Sequence, residues 1–314
     1  MKSDRVVVFI LDLNHSNETM QAINSVSSCN GKNIEIMVHI NGSDRDHAAR
    51  LTQSLSGRSG VRVSRTERNL GYAGGNNYLL QKLQKEEKIS GYILLLNNDA
   101  QLQKQAVARL QSVLDIYPDV GAVGPRILHH TPKDLIATDG AYVWPWFMQQ
   151  SFRNSGKRIQ DCPAPPPFAV PFIPGTCMMI RADLFIKLGG LDERFFAYFE
   201  DWDLCLRMHE LGYRCLHVAE AEVRHVGSMT SGTDSLKYYF LMTRNRYLMA
   251  RKHLPLHIFV FLFLPYFVVS RIAYKVIFLL VRNKLQGIKG ILLALAWIMA
   301  PANRKPVFWP ITNT

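Results

Sequence analysis

Tyr92-Ile-Leu-Leu-Leu-Asn97-Asn98-Asp99 is an apolar run that stops abruptly at two amides and a carboxylate. A short run with no polar alternation reads as a strand buried on both faces, the kind found in parallel sheets covered by helices. Four similar runs lie to either side of it, Val6 to Leu11, Ile34 to Ile40, Val61 to Ser64 and Val120 to Val123. Helical periodicity fills the intervals, over Glu18 to Ser27, Asp44 to Leu55, Gly75 to Lys88 and Lys104 to Ile116. This alternation predicts βαβ units and an α/β fold around an open, mostly parallel sheet. Ligands of such sheets sit beyond the carboxyl ends of the strands. Chemistry is therefore expected at Asp12 and Asn14, Asn41 to Asp44, Glu67 to Asn77, and Asn97 to Asp99.

The chain has 314 residues and a net charge of +12, from 37 Lys and Arg against 25 Asp and Glu. From Lys237 onward there are twelve basic residues and no acidic one, so everything before that point is neutral overall. A neutral front followed by a basic, apolar tail predicts two modules in different surroundings. The five cysteines are odd in number, widely spaced and never in a CxxC pair, which argues against a disulfide framework or a zinc cage. The apolar start, Val6 to Leu11, is too short for a signal peptide and reads as a strand.

Residues 125–175 lose periodicity and hold Trp144, Trp146 and a Pro-rich stretch from Cys162 to Pro174. They read either as a functional loop or as a polyproline spacer, and each Trp as an acceptor contact or as core. Helices are expected over Ala182 to Leu188 and Phe199 to Leu211, each followed by glycine. In the tail, Lys237, Arg244 and Arg251 share one helix face beside Leu236, Phe240, Tyr247 and Leu254. The apolar runs Leu256 to Ser270, Val276 to Val281 and Ile291 to Ala300 are interrupted by Pro265, Arg271 and Lys275. Each is shorter than the roughly twenty residues of a membrane span. In-plane or re-entrant helices on an anionic leaflet are the favoured reading, with a spanning helix, a soluble helical subdomain or a homodimer interface as alternatives.

Three segments carry titratable groups suited to chemistry. The amides and carboxylate of Asn97-Asn98-Asp99 suit a hard divalent cation bound with phosphates, although strands also end in Asn-Asp turns for purely structural reasons. Phe195-Phe-Ala-Tyr-Phe-Glu200-Asp201-Trp202-Asp203 places three carboxylates at a helix start, where the dipole favours acids. Its aromatic residues would dry the site and raise a carboxylate toward general-base duty. His225, at the end of an alternating run and before Gly227, is either structural or a metal ligand. The glycine-rich Arg68-Asn69-Leu-Gly71-Tyr-Ala-Gly74-Gly75-Asn76-Asn77 opens a helix whose N–H groups can meet phosphate.

Taken in order, Ile10 to Asn14, Asn69 to Asn77, Leu94 to Asp99, Gly175 to Arg181, Gly189 to Asp192, Phe199 to Arg207 and Tyr238 to Asn245 resemble the family-2 glycosyltransferases of the GT-A fold. The resemblance is closest to the bacterial rhamnosyltransferase-like branch and runs from about Val6 to His253. It implies a Rossmann-like catalytic domain over residues 1–235, with a nucleotide-sugar half to 124 and an acceptor half from 125. Residues 236–314 would be a helical, membrane-associating region. By this resemblance Asp99 and His225 bind Mg2+ or Mn2+, and Asp201 is the catalytic base of a single inverting displacement. Glu200 and Trp202 would line the acceptor side, and Asp203 would anchor the helix start. Asp12, Asn14, Asn41, Gly74, Gly75, Asn76, Asn97 and Asn98 would join Asp99 around the nucleotide-diphospho-sugar donor. The acceptor would be a lipid-linked or polysaccharide glycan at the cytoplasmic face of the inner membrane.

Two positions depart from the family pattern. Ile40 stands where a base-contacting Asp is usual, and an aliphatic side chain accepts no hydrogen bond; Asp12 is the expected substitute. Asn97 replaces the first carboxylate of the DxD motif. A non-catalytic nucleotide- or glycan-binding scaffold is the competing expectation. No glycine fingerprint follows the first strand, which excludes a dinucleotide-binding oxidoreductase. The tail's cations interrupt aliphatic runs rather than line a polar groove, which argues against nucleic acid.

Overall fold

The computed structural model describes residues 5–31, 33–86, 89–227 and 235–300; Lys88 and the tail beyond residue 300 lie outside them. The chain divides into two units, one of Met1–Tyr142, Phe152–Phe196 and Glu200–Gly227, the other of Val143–Ser151, Ala197–Phe199 and Ser228–Thr314.

The first unit is built on a mixed ten-stranded sheet. Strands β1 (Val6–Asp12), β2 (Ile34–Asn41), β3 (Val61–Thr66) and β4 (Tyr92–Asn97) are parallel, in the order β3-β2-β1-β4. Their even-numbered faces, with Val8, Ile10, Val38, Ile40, Leu94 and Leu96, share one core with α1 (Ser16–Ser27), α2 (Arg45–Leu55) and α4 (Ala106–Ile116). Helix α3 (Gly71–Glu86) covers the opposite face of β1 and β2. Gly75 makes this packing possible, because a Cβ there would lie 2.8 Å from the Leu11 side chain. The remaining strands extend the sheet past β4. They are β5 (Ala100–Leu102), β6 (Val120–His129), β7 (Ile136–Thr138), β10 (Phe168–Val170), β11 (Cys177–Arg181) and β12 (Arg214–His225). Strand β11 runs antiparallel between β4 and β6, and β12 runs parallel to β6. One sheet thus crosses the boundary near residue 124 at which two halves were expected.

Two differences from the sequence reading have physical causes. Strand β6 runs on to His129 although Pro125 and Arg126 end its apolar run, because Arg126 is neutralised inside the fold. Asp139 accepts bidentate bonds from Arg126 (2.9 and 3.0 Å), with His217 Nε2 and Asn154 Nδ2 at 2.9 Å each. Burial alone would raise the Asp139 carboxyl, but these donors hold it well below the usual carboxylate range. Its stabilising contribution is complete above the unfolded value of about 3.9 and is lost as pH falls through the lower folded value. The supposed loop 125–175 also contains short strands, including β8 (Ala141–Trp144) and β9 (Gln149–Phe152), each only three or four residues long and too brief to show a period. All five cysteines are free.

In the second unit, α7 (Leu236–His253) is capped by Ser235, whose hydroxyl accepts from the Tyr238 N–H at 3.1 Å. Its basic face is not uniformly solvated: Arg244 is buried and lies over the Phe240 and Trp297 rings, while Arg251 is exposed. The first two apolar runs of the tail, Leu256 to Ser270 and Val276 to Val281, are corrected to one continuous helix, Leu256–Val281, of 26 residues. It is long and apolar enough to cross a membrane by length and composition. Wider π-type turns at Phe259–Phe263 and Phe267–Ala273 flank Pro265, which removes one helical donor. Arg271 and Lys275 do not break its outer face. They are one turn apart and partly buried, and the Lys275 ammonium lies over the Tyr239 and Phe278 rings. The exposed positions from Val260 to Val281 are apolar throughout, with Phe261 and Val281 about four-fifths exposed. The last helix, Leu285–Met299, packs on α7 through a cluster that includes Tyr239, Leu279 and Ile291.

Candidate active site

Asp99 lies in the two-residue turn between β4 and β5, and the pairing of β5 with β12 sets Ala100 opposite His225. Asp99 Oδ1 and His225 Nε2 lie 3.0 Å apart, and the Asn97 amide reaches the same nitrogen at 3.4 Å. Burial pushes the Asp99 carboxyl up, but the hydrogen bond and charge of His225, with backbone N–H donors, outweigh it and hold the carboxyl below its ordinary value.

Asp201 is the second residue of α6 (Glu200–Glu210), in its first turn. Oδ1 accepts from the Trp202 N–H at 2.8 Å and Oδ2 from the Gly175 N–H at 2.9 Å. Burial raises its pKa against the pull of these donors. Glu200, 5% exposed, is raised further by burial and by the neighbouring Asp201 charge, and its Oε2 has no hydrogen-bond partner among the described residues. The Tyr72 hydroxyl donates to the Gly175 carbonyl and is itself pushed well above its usual value, first by burial and then by the two carboxyls. The two centres are joined through backbone, because the Asn97 N–H donates to the Thr176 carbonyl at 3.0 Å, next to the Gly175 that holds Asp201. Sequence reasoning gave no role to Tyr72 or to the Gly175 amide; a glycine just before the apolar β11 was the one available signal.

Several residues expected around the donor are hydrogen-bonded to protein partners. Asp12 is fully buried and its carboxylate is already engaged by Thr19 Oγ1 (2.8 Å), Ser43 Oγ (2.9 Å) and His47 Nε2 (2.8 Å). Its register partner Ile40 lies in the core. Asn98 reaches the same network through Thr19 at 3.2 Å. Asn41 is spent as a latch: its amide nitrogen donates to the Gly71 carbonyl and its oxygen accepts from the Leu70 N–H. Gly74 and Gly75 sit inside α3, which begins at Gly71. The N–H groups of Gly71 and Ala73, two of the four donors of this helix start, are taken by Asn69 Oδ1 and the Phe196 carbonyl. Asn76 is buried and donates to the Tyr72 carbonyl.

Asn14 is exposed, with a left-handed backbone (φ 58°), and its Oδ1 caps the Asp44 N–H. Trp202 is 1% exposed and stacks on Phe172 at 5.5 Å. Asp203 pairs with Arg207 at 2.8 Å, and Arg207 also donates to the Leu188 and Gly190 carbonyls, so this acid ties the helix to the preceding turn. In the second unit Trp144 and Trp146 are about half exposed, which removes core packing as their explanation.

The residues at Asp99 fit a divalent cation. Two ligands at about 2.1 Å and a right angle are about 3.0 Å apart, which is the observed carboxylate–imidazole separation. No group of three or more His, Cys, Asp or Glu side chains able to hold a metal occurs among the described residues. Asp99 and His225 would be its protein ligands, with substrate phosphates and water supplying the rest.

A mixed α/β sheet with a carboxylate and histidine at one strand end, hydrogen-bonded through backbone to a helix-start carboxylate pair, has the layout of a GT-A-like glycosyltransferase. The glycosyl transferase family 2 model matches residues 8–189, more than half of the chain, and the chain belongs to that family. It is 25% identical over 210 residues to an N-acetylglucosaminyl-diphospho-decaprenol L-rhamnosyltransferase of Mycobacterium tuberculosis, covering 62% of this chain and 68% of the relative. It is 30% identical over 150 residues to the low-salt glycan biosynthesis hexosyltransferase Agl10 of Haloferax volcanii, covering 44% of this chain and 43% of that one. The crystal structure of GalNAc-T7 with UDP, GalNAc and Mn2+ shares the fold at a TM-score of 0.61 and 19% identity. That match covers 87% of this chain and 57% of the other, so the chain spans little more than half of that protein.

Proposed function

We propose that the protein is an inverting glycosyltransferase that moves a sugar, rhamnose carried by dTDP in the sharpest form of the reading, to a lipid-linked or polysaccharide acceptor. The observation that carries this reading is the backbone link from Asn97 through Thr176 and Gly175 to Asp201, which joins a phosphate-side centre to a base. Asp201 takes the proton of the acceptor hydroxyl as that oxygen attacks the anomeric carbon. The bond from that carbon to the diphosphate breaks on the opposite face, and the electron pair leaves with the nucleotide diphosphate. Asp99 and His225 are the residues to hold Mg2+ or Mn2+, which when bound neutralises charge on the leaving diphosphate. The burial of Asp201 makes it a stronger base than a solvated carboxylate.

The reading is tested by calorimetric titration of the full-length protein with UDP-, GDP- and dTDP-sugars, with and without Mn2+. One donor, dTDP-rhamnose, should bind, with its affinity collapsing when the metal is chelated. Absence of binding by folded protein to any of them would favour a non-catalytic scaffold, the reading that Ile40 and the occupied Asp12 support.

The same proposal sets the chain at the cytoplasmic face of a membrane, held by the apolar Leu256–Val281 face and the tail's positive charge. Val269→Glu with Ile277→Glu, both at exposed positions, should move the full-length protein from the membrane pellet to the supernatant. Each charge costs about 2.5–3.5 kcal/mol in a bilayer core and little in water. Retention in the pellet would assign attachment to another surface.

A further inference from the structure

Phe196, Tyr198 and Phe199 hold left-handed backbone, with φ of 65°, 71° and 76°. Side chains of this bulk are outliers in that region, and such conformations persist where surrounding bonds over-determine them. The next two residues are Glu200 and Asp201.

The bonds that hold this turn can be named. At its start, within the first unit, the Ala73 N–H donates to the Phe196 carbonyl at 3.1 Å. Gly71 permits that approach, since a Cβ there would lie 2.4 Å from the same oxygen. Within the second unit, the next two carbonyls converge on one side chain: Asn245 Nδ2 donates to Ala197 O at 2.7 Å and to Tyr198 O at 2.8 Å. Asn245 is fully buried on α7, and its Oδ1 accepts from Arg244 Nε at 2.9 Å. That third bond fixes the amide with its two N–H donors toward the turn. Among side chains of this length only a carboxamide offers two donors on one neutral nitrogen, and an ionised carboxylate offers none.

We propose that Asn245 is a positioning residue for the base: its amide pins the strained turn and so determines where the chain delivers the Asp201 carboxylate. The proposal rests on the reading of Asp201 as the base. It assigns to α7, in a tail otherwise read as an anchor, a part in the chemical step that acts through main chain two to four residues ahead of Asp201.

The test compares Asn245→Ala and Asn245→Asp with wild type in the full-length protein, by amide hydrogen exchange and by transfer kinetics with the donor selected from the UDP-, GDP- and dTDP-sugar panel. The Gly175 and Trp202 amides, which donate to Asp201, report its placement without any substrate. Both should exchange at least about tenfold faster in the variants while amides of β1 and β4 are unchanged. kcat should fall at least about tenfold with donor affinity within about threefold of wild type. In Asn245→Asp the ratio of variant to wild-type kcat should climb as pH falls, because a protonated carboxyl regains one O–H donor toward the two carbonyls.

Unchanged exchange at Gly175 and Trp202, or kcat within twofold of wild type, overturns the proposal. Equal losses of donor affinity and kcat, or a pH-independent ratio, would make Asn245 a general structural residue and also overturn it. If Asn245→Ala does not fold, Asn245→Asp decides alone. Asp201→Asn measured alongside separates the two ideas, since normal transfer by that variant removes the base reading whatever Asn245 does.

Discussion

Asp201→Asn is expected to slow sugar transfer by at least about a hundredfold, within the range of about 10²–10⁴ that general-base catalysis supplies, and to leave donor affinity intact. The amide keeps the volume and one acceptor but cannot take a proton, and the Gly175 and Trp202 N–H donors that hold the carboxylate leave little room for another group to replace it. Glu200→Gln should behave differently. Burial and the adjacent Asp201 charge raise Glu200 well above the ordinary carboxylate range, so the side chain is held closer to its neutral form, which Gln imitates. Transfer by that variant should stay within a few-fold of wild type. The wild-type rate should itself fall as pH drops through the raised Asp201 value, placing the acid limb above the range of a solvated carboxylate. Single-turnover rates across pH for the three proteins check all of this, and near-normal turnover by Asp201→Asn would remove the base.

Asp99→Ala should weaken metal-dependent donor binding by more than about a hundredfold, since loss of outer-shell partners alone costs about 10- to 100-fold in metal sites. The argument is the economy of the site. With two protein ligands in reach and no cluster of three or more metal-binding side chains among the described residues, losing one halves the protein's share of the coordination shell. The variant also frees His225 from its hydrogen bond to the carboxylate. Donor titration with and without Mn2+ should therefore give two nearly superimposed weak curves. A retained metal response at unchanged affinity would reject Asp99 as a ligand.

The parallel half of the sheet was legible because each strand is a run of apolar residues bounded by polar ones, and β1 to β4 begin and end within about two residues of those limits. The pairing of Asp99 with His225 was implied by the family resemblance; residue type and position alone left a structural His and an Asn-Asp turn open. What sequence could not separate was the polar residue that meets a ligand from the polar residue that satisfies the fold. Asp12 and Asn41 both stand at strand ends, yet both spend their side chains on protein partners. Gly75, which reads as part of a phosphate loop, also has a packing reason, the clearance that lets α3 lie on Leu11. The tail failed for a different reason. Counting along the chain, Arg271 and Lys275 interrupt an apolar run; around a helix they lie on one side, and the opposite side stays unbroken.

The link between β4 and β11 has a consequence for how this protein can change over time. Asn97 meets Thr176, and Gly175 meets Asp201, through main-chain N–H groups, which every non-proline residue supplies. The spacing between the leaving-group end and the base is therefore indifferent to most point mutations along those strands. Within residues 130–174, by contrast, side chains do fix the structure: Asp139 neutralises Arg126, and Phe172 stacks on Trp202 beside the base. Substitutions at those positions act on stability, while the main-chain ruler between the two centres keeps its length.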